Sequence, residues 1–269
     1  RIGRNEAFNH TGNTAVAIIA GLVGQFAGRQ WIFYIFSILC IATIAFVFRI
    51  RHRDINYTQS RAQSSDDQKD NKPSRVQDLL HNRPLLIFAA SVILFYFASA
   101  PLFPLVSQKI AGGQGSAPAL FVSASIVVAQ LTMILVATQI GNIVNKWGRK
   151  PLFLVACIAV LIRALLYTFS QNPWYLVTVQ VLDGISSGIA SILIVVVVAD
   201  LAKGTGRFNL IQGAINASIG IGASLGNLVL GFLVHTTGFR IGFLTSAGIA
   251  TITLILFWFA MPETNKHNS

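Results

Sequence analysis

Two ionisable side chains sit where ionisable side chains are expensive. Asp183, in Gln180-Val-Leu-Asp183-Gly184, and Arg163, in Ile162-Arg163-Ala164, each lie inside a long stretch of otherwise apolar residues. A charge held in hydrocarbon costs a few kcal/mol or more, so each is a functional candidate by default. Asp183 can bind a cationic group or carry a proton; alternatively, it and Arg163 can neutralise one another in a buried ion pair. Neutral polar groups accompany them: Gln130, Gln139, Gln180, Gln212, Asn216 and Asn227. Such amides hydrogen-bond between membrane helices for about 1 kcal/mol, which makes packing the ordinary role for most. Gln180, Gln212 and Asn216 are kept as candidates to contact a solute or line a proton path. Tyr96 joins them, because it shares a run with Pro101 and Pro104. Proline frees helix backbone groups, which is tolerable in a membrane only where protein or cavity water satisfies them.

The elements that hold these residues follow from composition. Of the 269 residues, 54% are hydrophobic and 11% charged, with a mean hydropathy of +0.64. A soluble globule needs more charge than that to cover its surface. Apolar runs fall at roughly 12–28, 30–48, 84–106, 118–140, 152–170, 174–199, 209–234 and 239–261. About 20 such residues cross a bilayer as a helix, and the runs lack the alternation of barrel strands. The expected fold is therefore an all-α integral membrane bundle of about eight spans. Gly24-x3-Gly28, Gly184-x3-Gly188 and Gly222-x3-Gly226 are spaced to let helices approach closely.

One hydrophilic stretch, Arg49 to Arg83, interrupts the pattern and reads as a solvated linker, with a short amphipathic helix expected over Ser74–Asn82. Placing the basic residues decides the orientation. Arg1, Arg4, the linker cations, Lys146, Arg149, Lys150, Lys203, Arg207 and Lys266 fall on one face; Arg29, Lys109 and Arg240 fall on the other. Lys and Arg mark the cytosolic side, so both termini and the linker are expected there, in the plasma membrane. The net charge of +11 is then a topogenic signal facing anionic lipid rather than nucleic acid. Cys40 and Cys157 lie in apolar runs and suggest neither a disulfide nor a metal site. Walker, HExxH and GxSxG patterns do not occur, so no enzyme activity and no cofactor is expected.

Gly3, Arg4, Asn13, Ala20, Leu22 and Gly28 recur as Gly206, Arg207, Asn216, Ala223, Leu225 and Gly231, at a fixed offset of 203 residues. Both copies begin at a Gly-Arg on the same face and enter the membrane in the same direction. The spacing implies a parallel repeat of six helices, of which the first copy contributes its last two. The domains expected are 1–49 for those two helices, 50–83 for the linker, 84–261 for a six-helix half and 262–269 for a cytosolic tail. Four helices of a twelve-helix protein would then precede Arg1.

The loop Gly141-Asn-Ile-Val-Asn145-Lys146-Trp-Gly148-Arg149-Lys150, with Pro262-Glu263-Thr264 after the last run, resembles the major facilitator superfamily. Asn145 stands where that family usually has Asp, which weakens any charge relay from the loop. The resemblance implies a secondary active transporter in which two bundles rock about a midplane site, moving a small solute, alone or with protons. It places Asp183 on a cavity-lining helix and Arg163 on a peripheral one. It also makes the loop, with Asp200 and Arg207 at the next turn on that face, a cytosolic gate. The competing reading is an inactive or partner-dependent truncated remnant that serves only as a membrane interaction protein.

Overall fold

A computed structural model describes residues 2–49, 82–112, 118–203, 205 and 207–264. Among them the chain is helical: α1 Ile2–Phe26, α2 Arg29–Val47, α3 Arg83–Ser99, α4 Leu102–Ala111, α5 Pro118–Trp147, α6 Arg149–Leu166, α7 Pro173–Ala202, α8 Phe208–Thr237 and α9 Phe239–Ala260. Helices are what a segment in lipid must form, because only then does each backbone group find its partner within the segment. Among the described residues, six stretches are long and apolar enough to cross a membrane, with α3 and α4 counted as one. The remaining two expected spans are α1, whose first half is polar, and α6, which carries Arg149, Lys150 and Arg163. Residues 50–81, and with them almost all of the expected Ser74–Asn82 helix, lie outside the described residues, as do 265–269 of the tail. Asn82 is described, and it caps α3 by accepting from the Leu85 amide at 3.3 Å.

The helices close into a bundle through a chain of neighbours. α1 packs on α5, α5 on α7, α7 on α6, α6 on α9, α9 on α3 and α3 on α8, while α2 touches α1. Aromatic rings fill the middle of the α3–α6–α9 group: Phe153 lies 4.3 Å from Phe257 and 5.4 Å from Phe95, between ring centroids. Small residues set the closest approaches. A Cβ on Gly222 or Gly226 of α8 would strike the carbonyl oxygens of Ile93 and Phe97 on α3, and one on Gly184 of α7 would strike Ala129 and Thr132 on α5. The third glycine pair behaves otherwise. Gly28 is not a packing residue but the turn between α1 and α2, at φ +102° and with open space where a Cβ would be. Its neighbour Gly24 meets only Ile32 of α2.

The run containing Pro101 and Pro104 breaks into α3 and α4. Side chains from other helices satisfy carbonyls at the break. Ser246 Oγ of α9 donates to the Ala98 carbonyl at 2.8 Å, and Arg163 of α6 reaches the Ser99 carbonyl. A broken helix persists in an apolar bundle when neighbours take over the freed groups in this way.

Candidate functional site

The two buried charges meet across α6 and α7. Arg163 is fully buried, and the Asp183 side chain keeps 17% of its exposure. Arg163 Nη1 donates to Asp183 Oδ1, and Nη2 donates to the Ser99 carbonyl at 2.8 Å. Ser187, one turn along α7, donates from its hydroxyl to the same carboxylate oxygen at 3.3 Å. One guanidinium therefore ties α6 to α7 and to the break after α3, with the planar fork of arginine serving two acceptors at once. Gln180, one turn before Asp183, is fully buried, and neither of its amide atoms has a hydrogen-bond partner in the protein. A buried amide left so costs a few kcal/mol, which favours a polar guest at that point.

α8 presents a second polar feature. Its buried face, Ile211, Ile215, Ser218, Gly222, Gly226 and Leu230, packs inward. An adjoining face carries Asn209, Gln212, Asn216, Gly220 and Asn227, of which all but the half-buried Gln212 are exposed. At 100° per residue these positions fall within about 40° of one line along the helix. Gln212 Nε2 donates to Asn216 Oδ1 at 3.1 Å, knitting the ridge together. A lipid-facing helix surface does not carry three asparagines and a glutamine in a row without cost. Tyr96 lies half-buried on α3, the helix that packs against α8 through Gly222 and Gly226, with its ring edge-on to Phe95 at 5.4 Å.

A third cluster closes the end of the bundle where α5, α6, α7 and α9 meet. Gly148 turns the chain between α5 and α6 at φ +87° and ψ 167°, a region essentially reserved for glycine that costs other residues about 1–3 kcal/mol. The turn leaves the first amides of α6 unpaired, and Glu263 fills them. Its Oε1 accepts from the Arg149 amide at 2.9 Å and its Oε2 from the Lys150 amide at 3.1 Å. A carboxylate at a helix N-terminus is favoured by the helix dipole as well as by the bonds. A Cβ on Gly148 would sit 2.6 Å from Glu263 Oε2, so the glycine also makes room for the cap. The Arg149 side chain turns back, donating from Nε to Asp200 Oδ2 at 2.9 Å and from Nη1 to the Val144 carbonyl at 3.1 Å. Thr264 donates to the same Asp200 oxygen at 3.3 Å.

Several expected site residues are therefore brought together: Arg163 with Asp183, Gln212 with Asn216, and Arg149 with Asp200. Gly141 and Lys146 are exposed, Lys150 contributes its backbone amide, and nothing is described of the Asn145 side chain. Arg207 stands at the N-cap of α8, where its amide donates to Thr205 Oγ1 at 3.2 Å. Glu263 and Thr264 enter the sequence reading through the family resemblance and not as site residues. Glu263 meets the loop from 114 positions away and Thr264 meets Asp200 from 64, pairings that leave no local trace in the sequence.

Comparison with known proteins settles the family. The sequence model described as Major Facilitator Superfamily matches residues 1–137 and 117–269. The chain belongs to that superfamily. Two MFS-type transporters of Mycobacterium tuberculosis, from strains CDC 1551 and H37Rv, are each 39% identical over 98% of this chain and 63% of their own length. The chain thus spans under two thirds of these relatives. More distant relatives include a class B tetracycline resistance protein of Escherichia coli and a gallate transporter of Pseudomonas putida. The first is 26% identical over 52% of this chain and 34% of its own length, and the second 23% identical over 72% and 44%. Membership agrees with the all-helical, apolar bundle described above, that of a multi-pass membrane protein.

Proposed function

We propose that the protein is a secondary active transporter that moves a small solute across the plasma membrane by alternating access, coupled to protons. The observation that carries this reading is the uncovered polar ridge of α8 on a helix long and apolar enough to span a bilayer. Such a ridge is favourable facing a water-filled pathway and unfavourable facing lipid. Asp183, part-exposed on α7, supplies the proton or cation site; Gln180, Gln212, Asn216 and Tyr96 supply solute contacts. The cluster of Arg149, Asp200 and Glu263, with Lys146, Lys150 and Arg207 near it, acts as a gate at the cytosolic end.

In this arrangement α1 and α2 belong to the first six-helix half, residues 50–83 form the cytosolic linker between halves, and α3 to α9 form the second half. The pathway is completed by further helices of the first half, in keeping with the fraction of the relatives that the chain spans. Both termini face the cytosol. The relatives named for tetracycline resistance and gallate transport support a small organic solute as cargo. The test is uptake of radiolabelled tetracycline, gallate, inositol and mixed amino acids into proteoliposomes under an imposed pH gradient. Gradient-driven accumulation of one probe that is lost in Asp183→Asn is expected. Wild-type accumulation by Asp183→Asn would discard the role given to that carboxylate, and indifference to the gradient would discard proton coupling.

A further inference from the structure

His10 occupies an unusual position for an ionisable side chain. It lies on α1, is buried to 7% exposure, and faces α5 rather than solvent. Its Nδ1 is 2.7 Å from Gln130 Oε1 of α5. The amide oxygen can only accept, so Nδ1 carries the hydrogen and Nε2 keeps the lone pair. That Nε2 is buried with no hydrogen-bond partner, and the nearest anionic group is the Glu6 carboxylate at 3.9 Å. Glu6, one turn closer to the start of α1, keeps 26% of its side-chain exposure. A free imidazole lone pair beside a carboxylate that reaches water is an arrangement poised to take up a proton.

We propose that His10 is a proton-binding site at the seam between α1 and α5, and that its protonation clamps the two helices together. A proton from bulk water adds to Nε2 while Nδ1 keeps its own. The imidazolium then pairs with Glu6, and the Nδ1–H bond to Gln130 becomes charge-assisted, which roughly doubles the strength of such a bond. Histidine is the side-chain type suited to such a proton-driven contact. Among the described side chains, Glu6 is the acidic group at ion-pair distance from the ring. On α5 the residue meeting the ring is the neutral Gln130, and the charge of that helix, Lys146, lies at its far end. The ionisable groups of α2 are Arg29, Tyr34 and Cys40. On α7, Asp183 is paired with Arg163 and Asp200 with Arg149, while Tyr175 donates to the Leu166 carbonyl. On α1 itself Arg4 lies beyond Glu6.

The site was not among those the sequence nominated, and it is separate from the carboxylate proposed for coupling. Its test needs no solute, so it succeeds or fails independently of uptake. Spin labels at Phe8→Cys on α1 and Leu135→Cys on α5, both exposed positions, with Cys40→Ser, report the separation of the helices by electron–electron double resonance in nanodiscs. Between pH 8 and pH 5.5 the close-approach population is expected to rise by about two-fold or more, the effect of one added charge-assisted contact. His10→Gln, which keeps a donor for Gln130 but cannot take the proton, is expected to abolish the response. A pH-independent distance distribution in the unsubstituted background, or an undiminished response in His10→Gln, overturns the proposal. Glu6→Gln serves should His10→Gln fold poorly: the response should fall by half or more, and an unchanged response is equally fatal.

Discussion

Arg163→Met is expected to destabilise the protein by about 3–5 kcal/mol, because it strands the Asp183 carboxylate inside the bundle. Arg163 is fully buried, and its partner carboxylate has little water to fall back on. The same substitution frees the Ser99 carbonyl beside the α3–α4 break, which adds the cost of an unmet acceptor. Asp183→Asn strands the opposite charge, deeper still, and is expected to cost at least as much. The double variant Arg163→Met/Asp183→Asn removes both charges and should recover most of the loss, short by about 1 kcal/mol for the Ser99 bond. Denaturant titration in mixed micelles reads the whole cycle. Additive losses in the double variant would mean that the two residues do not hold one another. The double variant also separates two roles. A folded protein that no longer couples uptake to a gradient assigns Asp183 to transport, whereas restored coupling assigns it to neutralising Arg163.

The second large effect is steric. Gly222→Leu should push α8 from α3, since even a Cβ at that position strikes the Ile93 carbonyl, and backbone cannot turn aside as a side chain would. Overpacking typically costs about 1–3 kcal/mol, and this site belongs at the upper end because the obstruction is the α3 main chain. Gly220→Ala supplies the control two residues away, where the added methyl meets open space. Alanine there should leave stability unchanged or raise it by about 0.5–1 kcal/mol through helix propensity. Equal thermal stability of Gly222→Leu and Gly220→Ala, measured on detergent-purified protein, would contradict the close packing of α3 on α8.

Much of this was legible before any coordinates, for reasons that differ by feature. The spans were legible because lipid imposes length and apolarity on each segment separately, so every helix announces itself locally. The break at Pro101 was legible for a similar reason, since proline acts on its own turn. Arg163 and Asp183 stood out because a charge among apolar residues is rare. Gly24-x3-Gly28 misled because a glycine spacing cannot distinguish a packing face from a helix end: Gly28 is a turn at φ +102°. The cap formed by Glu263 was illegible because helix α9 had to be placed beside α6 before its trailing acid met the Gly148 turn. His10 was hidden among the polar residues that begin α1, where nothing in the spacing says which side chain faces α5.

The pathway itself is tested most directly at Asn216, in the middle of the α8 ridge. With Cys40 replaced by serine, Asn216→Cys is treated with a membrane-impermeant thiol reagent applied to one side of the membrane or the other, in whole cells and in inverted vesicles. Modification from both sides is expected, with the balance between them shifting when the pH gradient is reversed, because a site that alternates its exposure must be reached from each compartment in turn. Modification from a single side under every condition, or none from either, would mean that the ridge does not line an alternating pathway.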